Sequence, residues 1–154
     1  NVDQIVSEIF DLSEKKNCKI FFPLDVSTGK NIDEKSVVKK LTEISNDDMI
    51  LDIGPETIEM IKNIINKSNT ILWNGPAGYF ENPEFSKGSK EIAKQIIVRK
   101  KENKIYCVSG GGDTVAALNN FGLAKDFDFV STAGGAFLEF LEGKELPGIK
   151  ALNS

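Results

Sequence analysis

The feature that most constrains this chain is a run of three glycines between an apolar segment and a helical pattern. Residues 104–108 predict a short strand, residues 110–112 a turn, and residues 115–121 a helix that ends at Gly122. Glycine lets the backbone approach an anion closely, and the first N–H groups of a helix are free to donate to it. The pattern favours a phosphate-binding turn over a tight turn that only starts the helix.

Two polar residues follow the glycines and refine this prediction. The carboxylate of Asp113 would repel a bound polyphosphate unless a cation lay between them, and Mg²⁺ prefers one or two carboxylates together with phosphate oxygens. Thr114 adds a hydroxyl at the same helix start. The pair predicts a magnesium nucleotide, and the alternative is that both are ordinary helix-start residues. The spacing is that of neither a Walker A loop nor a G-x-G-x-x-G turn.

Composition limits the chemistry that the chain can support. Its 154 residues suit one domain, and 40% hydrophobic and 27% charged residues are typical of a soluble globular protein. The net charge of −4 argues against a nucleic-acid or anionic-membrane partner. The chain has no histidine, and Arg99 is its single arginine, which excludes histidine catalysis, histidine metal sites and an arginine cluster.

Cysteine usage and the first residues bear on location. Cys18 and Cys107 both fall in apolar runs, and we expect two buried thiols of a reducing compartment rather than a disulfide. The acidic start is unlike a signal peptide, and no apolar run reaches transmembrane length. A cytoplasmic protein is expected. Because a helical pattern starts at once without an initiator Met, we also expect the chain to begin partway through a domain.

Strand and helix patterns alternate along the chain. Strands are predicted at residues 18–22, 49–51, 70–73, 104–108 and 129–130, and helices at 2–16, 55–66, 84–101, 115–121 and 136–141. Residues 27–35 predict a loop, and residues 36–44 fit either a helix turn or an edge strand. The alternation favours parallel βαβ units. Since all five strand ends are polar or glycine-rich, a ligand crevice is expected at the carboxyl ends of the strands.

Three further motifs sit at these strand ends. Asn74 could orient a polar ligand, although Asn-Gly is also ordinary turn chemistry. Glu81 could accept the hydroxyls of a ribose, or it could be a solvated loop carboxylate. Gly134 and Gly135 offer a second row of helix N–H groups, or a plain turn.

In this order, the motifs resemble the C-terminal half of the phosphoglycerate kinase family. The matching runs are Leu51-Asp52-Ile53-Gly54-Pro55, Trp73 to Glu81, Gly110 to Thr114 and Ser131 to Ala136, and residues 137–152 are similar to the family's closing segment. The resemblance implies an α/β, three-layer Rossmann-like domain with a mostly parallel sheet, as the C-terminal lobe of a two-lobe kinase. It implies a glycolytic enzyme, monomeric at full length, that transfers a phosphoryl group between 1,3-bisphosphoglycerate and MgADP to give 3-phosphoglycerate and MgATP.

The resemblance also assigns roles to residues. The implied nucleotide-binding set is Leu51, Asn74, Pro76, Glu81, Gly110, Gly111, Gly112, Asp113 and Thr114. Leu51 would border the adenine, Glu81 would contact the ribose, and Asn74 and Thr114 would contact the phosphates of ADP or ATP. Asp113 would hold Mg²⁺ through the nucleotide. The implied catalytic set is Gly112, Gly134 and Gly135, of which the last two would bring backbone amides toward the transferring phosphoryl group.

The chain departs from the family pattern in places. Ala133 stands where the family usually has glycine, and a positive φ there would strain it. Ile32 aligns with a position where the family often has an aromatic residue that covers the adenine. The N-terminal lobe, which binds phosphoglycerate, and the first βα segment of the C-terminal lobe, which carries phosphate-neutralising lysines, are absent from residues 1–154. We therefore expect a single partial domain that is inactive alone. The alternatives are a non-catalytic nucleotide-binding or structural module of the same fold, and a different α/β enzyme that binds another phosphate ligand.

Overall fold

A computed structural model describes residues 1–102 and 104–153. The helices are α1 (Val2–Lys15), α2 (Pro55–Lys67), α3 (Lys87–Lys101), α4 (Gly112–Asn120), α5 (Gly134–Leu141) and α6 (Pro147–Leu152). The strands are β1 (Asp25–Gly29), β2 (Val37–Lys40), β3 (Met49–Ile53), β4 (Thr70–Asn74), β5 (Tyr106–Gly110) and β6 (Phe129–Ser131). Short 3-10 helices lie at Leu41–Glu43, Pro83–Phe85 and Ala124–Asp126.

The strands form two three-stranded sheets. In one sheet the order is β4-β5-β6 and all strands are parallel, with α3 and α4 in the connections between them. The register places Asn74 opposite Gly110, and Gly110 opposite Ser131, so the three carboxyl ends meet at one edge. The predicted α/β, Rossmann-like fold is confirmed.

The other sheet, with the order β2-β1-β3, is antiparallel. The prediction that the strands before β4 also form parallel units is therefore wrong. Only residues 30–36 join β1 to β2, and so short a connection suits antiparallel neighbours, whereas a parallel pair needs a crossover of a dozen or more residues. β1 also extends into the predicted loop at residues 27–35, and residues 36–44 contain the strand β2.

The predicted strand at residues 18–22 does not form. The segment has no strand partner among the described residues, and Ile20, Phe21 and Phe22 are exposed. A strand requires a neighbour for its N–H and C=O groups, and apolar composition alone does not supply one. Cys18 is exposed as well, so the prediction of two buried thiols is wrong for this residue. Cys107 is buried on β5, and both thiols are free.

Helix α3 carries the main core of the protein. Ile92 and Ile96, like Ala93 and Ile97, lie four residues apart and are buried on one side of the helix. The core cluster contains Ile65, Trp73, Ile92, Ala93, Ile96, Ile97, Cys107, Leu118 and Phe127. It joins α2, α3 and α4 to β4 and β5, which fixes the carboxyl edge of the parallel sheet relative to the helices that begin there.

Helix α1 presents a different surface. Its apolar side is exposed and consists of Val2, Ile5, Val6, Ile9, Phe10 and Leu12. The ring of Phe10 lies 6.0 Å from that of Phe22, measured between centroids. A groove of about 1010 Å³ runs between residues 19–24 and α2 and is lined in part by Phe21 and Met60. None of the described helices combines the length and apolarity that crossing a bilayer requires.

A buried carboxylate joins the antiparallel sheet to α2. Helix α2 starts after Gly54, which has no side chain to cap it, and Asp25 of β1 supplies the acceptor instead. The Asp25 carboxylate, 2% exposed, accepts the N–H groups of Glu56 at 3.1 Å and Thr57 at 2.8 Å and the Thr57 hydroxyl at 2.8 Å. Burial raises the pKa of Asp25, but these hydrogen bonds and the charge of Lys40 outweigh burial and hold the pKa below its ordinary value.

Asp25→Asn tests this cap. At neutral pH the variant should lose about 1–3 kcal/mol of unfolding free energy, because a charged acceptor of several hydrogen bonds is removed. A lowered folded-state pKa means that the contribution is present above the ordinary pKa of 3.8 and is lost as the pH falls through the folded-state value. The difference between the two proteins in urea unfolding should therefore shrink below about pH 4.

The control for this comparison is Asp11→Asn, a change of the same charge on the exposed surface of α1. It should alter the unfolding free energy little at any pH. A difference between Asp25→Asn and the wild type that stays constant from pH 7 to acid would contradict the assigned role.

Candidate functional site

The carboxyl edge of the parallel sheet brings two helix starts together. Helix α4 begins at Gly112, directly after β5, and α5 begins at Gly134, shortly after β6. The first N–H groups of each helix have no partner within the helix, and both helix dipoles place partial positive charge at this edge. The arrangement suits an anion, as the glycine turn predicts.

Within the glycine turn, Gly111 is the residue with the least room for a side chain. Its φ of +92° lies in the left-handed region, and a Cβ there would come 2.7 Å from Asn74 Oδ1. A Cβ on Gly110 would come 2.9 Å from Phe137 Cδ1, and one on Gly134 would come 3.0 Å from Gly111 Cα. Two predicted site residues, Asn74 and Gly134, therefore lie against Gly111. A fourth, Gly110, precedes Gly111 and is opposite Asn74 in the sheet.

Gly112 and Gly135 differ from these glycines. They are the first residue of α4 and the second residue of α5, both are exposed, and a Cβ on either would meet no atom within 4 Å. The fold does not require glycine at these two positions. Their backbone faces open space beside the free N–H groups of the two helices, where a ligand could approach.

Asp113 and Thr114, adjacent in sequence, have different environments. Asp113 is exposed, and within the described part of the chain its carboxylate makes neither a hydrogen bond nor an ion pair. Thr114 is fully buried, and its Oγ1 accepts the Gly75 N–H at 2.7 Å. Over residues 1–102 and 104–153 there is no cluster of three or more His, Cys, Asp or Glu residues for a metal ion. A cation here would have to combine Asp113 with oxygens of the ligand.

The remaining predicted residues form a second group on and beside the loop after β4. Pro76 is half-buried in that loop, and Glu81 is exposed near its end. Leu51 lies on β3 with 8% of its surface exposed, and its carbonyl accepts the Tyr79 N–H at 2.7 Å. In the described residues no side-chain hydrogen bond joins Leu51 or Glu81 to the glycine turn. The loop itself connects the two groups.

The structure shows the surroundings of Ala133 and Ile32, two residues that depart from the family pattern. Ala133 has φ −86°, so the strain predicted for a positive φ does not arise there. Its N–H donates to Ser131 Oγ at 3.2 Å. The carbonyl of Ile32 accepts a hydrogen bond from Asn82 Nδ2 at 2.6 Å, which places Ile32 beside the loop that carries Glu81.

Asp52 and Ser89 support the loop, and sequence analysis did not identify them. Asp52 is 2% exposed and accepts the Gly88 N–H at 2.8 Å, while Ser89 Oγ accepts the Ala77 N–H at 2.8 Å. Burial raises the pKa of Asp52, and the N–H groups of Gly88 and Ile53 act against this rise. An acidic residue inside the apolar run at residues 49–53 was a usable signal for Asp52. Nothing in the local pattern marks Ser89.

A parallel sheet with glycine turns and helix starts at one edge defines the chain as a Rossmann-like α/β protein. The chain belongs to the phosphoglycerate kinase family, since the profile of that family matches residues 1–144. It is 46% identical over 151 residues to a phosphoglycerate kinase of Zymomonas mobilis, covering 97% of this chain and 38% of that protein. It is 48% identical over 146 residues to one of Rhodopseudomonas palustris, covering 94% and 37%.

Solved structures agree with this assignment. A phosphoglycerate kinase structure from Coxiella burnetii superposes with a TM-score of 0.84 at 38% identity, covering 96% of this chain and 38% of that one. A structure from Pyrococcus horikoshii gives a TM-score of 0.74 at 29% identity, covering 99% and 39%. The chain thus spans somewhat over a third of the length of the relatives that it matches.

Alanine substitutions should have different effects on stability at Gly111, which has no room for a side chain, and at Gly112, which has open space beside it. Gly111→Ala should cost about 1–3 kcal/mol of unfolding free energy, because it combines a left-handed φ with a close contact to Asn74. Gly112→Ala, in a helical position with open space, should be neutral or raise stability by up to about 1 kcal/mol. Urea unfolding of the chain measures both.

Gly122→Ala is the matched control, because Gly122 has a φ of +71° but open space around its Cβ position. It should reveal the cost of the backbone conformation alone, and Gly111→Ala should exceed it. Equal losses for the two variants would show that contact with Asn74 does not constrain the turn.

Proposed function

We propose that residues 1–154 are a single partial domain, the nucleotide-binding part of the C-terminal lobe of a phosphoglycerate kinase. The whole enzyme would transfer a phosphoryl group between 1,3-bisphosphoglycerate and MgADP, as a step of glycolysis in the cytoplasm. The observation that carries the proposal is that Asn74 and Gly134 both lie against Gly111, at an edge where two helices begin, in a chain of this family.

The nucleotide would span the two groups of residues described above. Its phosphates would lie against Gly110, Gly111 and the start of α4, where unpaired N–H groups and the amide of Asn74 can donate to them. Its ribose would reach Glu81, whose exposed carboxylate can accept hydroxyl groups. Its adenine would lie towards Leu51 and Pro76, which offer apolar surface.

Asp113 fits a metal ion that is shared with the nucleotide. Its carboxylate is exposed, has no described protein partner and lies in the first turn of α4. A single carboxylate together with phosphate oxygens is a coordination set that Mg²⁺ accepts. When bound, Mg²⁺ would neutralise phosphate charge and polarise the phosphoryl oxygens. Thr114 would contact the phosphates beside the metal ion. Its hydrogen bond with Gly75 joins the glycine turn to the loop after β4.

The catalytic contribution of this chain would come from its backbone. Phosphoryl transfer depends mainly on positioning and on stabilising charge, so fixed N–H groups are effective catalysts. Gly112, Gly134 and Gly135 are the first residues of two helices that begin at the same edge. Because Gly112 and Gly135 have open space beside them, a transferring phosphoryl group could approach their N–H groups.

Binding of phosphoglycerate is proposed to depend on residues outside this chain. One arginine and no histidine leave the chain without an arginine cluster for an acidic substrate. The chain spans 38% of the Zymomonas mobilis relative, and we assign substrate binding and further phosphate-neutralising lysines to the part that it does not span. The chain alone would then be inactive, and the full-length enzyme would be a monomer.

A chimaera tests the proposal directly. In it, this chain replaces the 151 matched residues of the Zymomonas mobilis phosphoglycerate kinase. A coupled assay should show steady phosphoryl transfer by the chimaera and none by the 154-residue chain. Binding of MgADP without transfer would instead indicate a non-catalytic nucleotide-binding module. Preference for a different phosphate ligand would indicate another enzyme of this fold.

Asp113→Asn in the same chimaera tests the metal. The change keeps the shape of the side chain and removes its charge, so the gain in ADP affinity that Mg²⁺ provides should fall by about tenfold, the loss expected for one charged contact. Titration calorimetry with and without Mg²⁺ measures that gain. Asp126→Asn, in the 3-10 helix beyond α4, is the control and should leave it unchanged. An unaltered magnesium dependence in Asp113→Asn would show that the residue only begins the helix.

A further inference from the structure

Three of the backbone N–H groups of the loop after β4 form hydrogen bonds that fix the loop to neighbouring elements. The N–H groups of Gly75, Ala77 and Tyr79, two residues apart, each donate to a different element. The acceptors are Thr114 Oγ1 of α4 at 2.7 Å, Ser89 Oγ of α3 at 2.8 Å and the carbonyl of Leu51 on β3 at 2.7 Å. Residues 75–79 are therefore fixed along their length, although they form neither helix nor strand.

The same loop separates the two groups that the nucleotide would span. Asn74 stands immediately before it, in contact with the glycine turn, and Glu81 stands two residues after its last anchor. The three hydrogen bonds consequently set how far apart these side chains lie. A ligand that binds both at once depends on that separation, whereas a ligand that binds one of them does not.

Ser89, the acceptor of the middle hydrogen bond, is the one acceptor of the three that is not a predicted site residue. Ser89 is fully buried in the first turn of α3, so its side chain does not reach the surface where a ligand would bind. Its neighbour Gly88 donates to the buried carboxylate of Asp52, and a Cβ on Gly78 would come 2.5 Å from Asp52 Oδ1. Ser89 and Asp52 thus hold Ala77 and Gly78 against the beginning of α3, and the packing leaves no space for a side chain at Gly78.

We infer that Ser89 is a positioning residue, whose hydroxyl fixes the loop so that Asn74 and Glu81 engage the phosphate and ribose ends of one nucleotide. This inference rests on the proposed nucleotide-binding function. The physical basis is effective concentration. Once one end of a nucleotide has bound its group of residues, the other end meets the second group at high effective concentration only if the two groups are held at the right distance.

The test compares three ligands in the chimaera described above, by titration calorimetry. ADP spans both groups, adenosine reaches only the ribose group, and inorganic pyrophosphate reaches only the glycine turn. Ser89→Ala removes the acceptor of the Ala77 N–H, and we expect the affinity for ADP to fall by about tenfold while the other two affinities change by less than about threefold. Ser89→Thr keeps the hydroxyl and should restore ADP binding.

Ser89→Cys extends the series, because a thiol is a weaker acceptor than a hydroxyl. It should give an intermediate loss of ADP affinity, and it keeps the test open if the alanine variant does not fold. Equal weakening of all three ligands would overturn the inference, since a residue that only stabilises the fold would act on them alike. Unchanged ADP affinity in Ser89→Ala would overturn it as well.

These outcomes are distinguishable from failure of the proposed function. If wild-type chimaera bound ADP no better than adenosine and pyrophosphate, the proposed function would fall, and the inference with it. If the wild type bound ADP more tightly and the Ser89 variants behaved like the wild type, the inference alone would fall.

Discussion

The close approach of Asn74 to Gly111 is the constraint on which the rest of the site depends. Because Asn74 Oδ1 occupies the space that a Cβ of Gly111 would need, β4 and the turn after β5 can meet only through bare backbone. Gly134 brings the start of α5 against the same glycine. The parallel register then has a chemical result, since it places the ends of three strands and the beginnings of two helices within reach of one small ligand.

Sequence reasoning worked where the deciding forces are local. The helices predicted at residues 55–66 and 84–101 form as Pro55–Lys67 and Lys87–Lys101, because their periodicity and end signals lie within the segments themselves. The glycine turn followed from the same kind of information, since three consecutive glycines after an apolar run permit a sharp turn and a close approach of the backbone. The position of Asn74 at the same edge as this turn followed less directly, from the expectation that parallel strands place their carboxyl ends around one crevice.

Sequence reasoning failed where the outcome depends on a partner elsewhere in the chain. Residues 18–22 have the composition of a strand but no neighbour among the described residues, whereas Asp25–Gly29, which read as loop over most of its length, is the centre of a sheet. The short connection at residues 30–36 could have indicated an antiparallel pair. Ser89 could not have been found in this way, because its role comes from one N–H group twelve residues away in sequence.

The different environments of the two cysteines have a practical consequence for spectroscopy. Cys107 is buried, its Sγ donates to Asp128 Oδ2 at 3.3 Å, and burial raises the pKa of its thiol, all of which suppress the reactive thiolate. Cys18 is exposed next to the apolar surface of α1. A maleimide dye would therefore attach at a single point without mutagenesis. Its emission would report on the polarity around residues 18–22 while the carboxyl edge of the parallel sheet stayed unmodified.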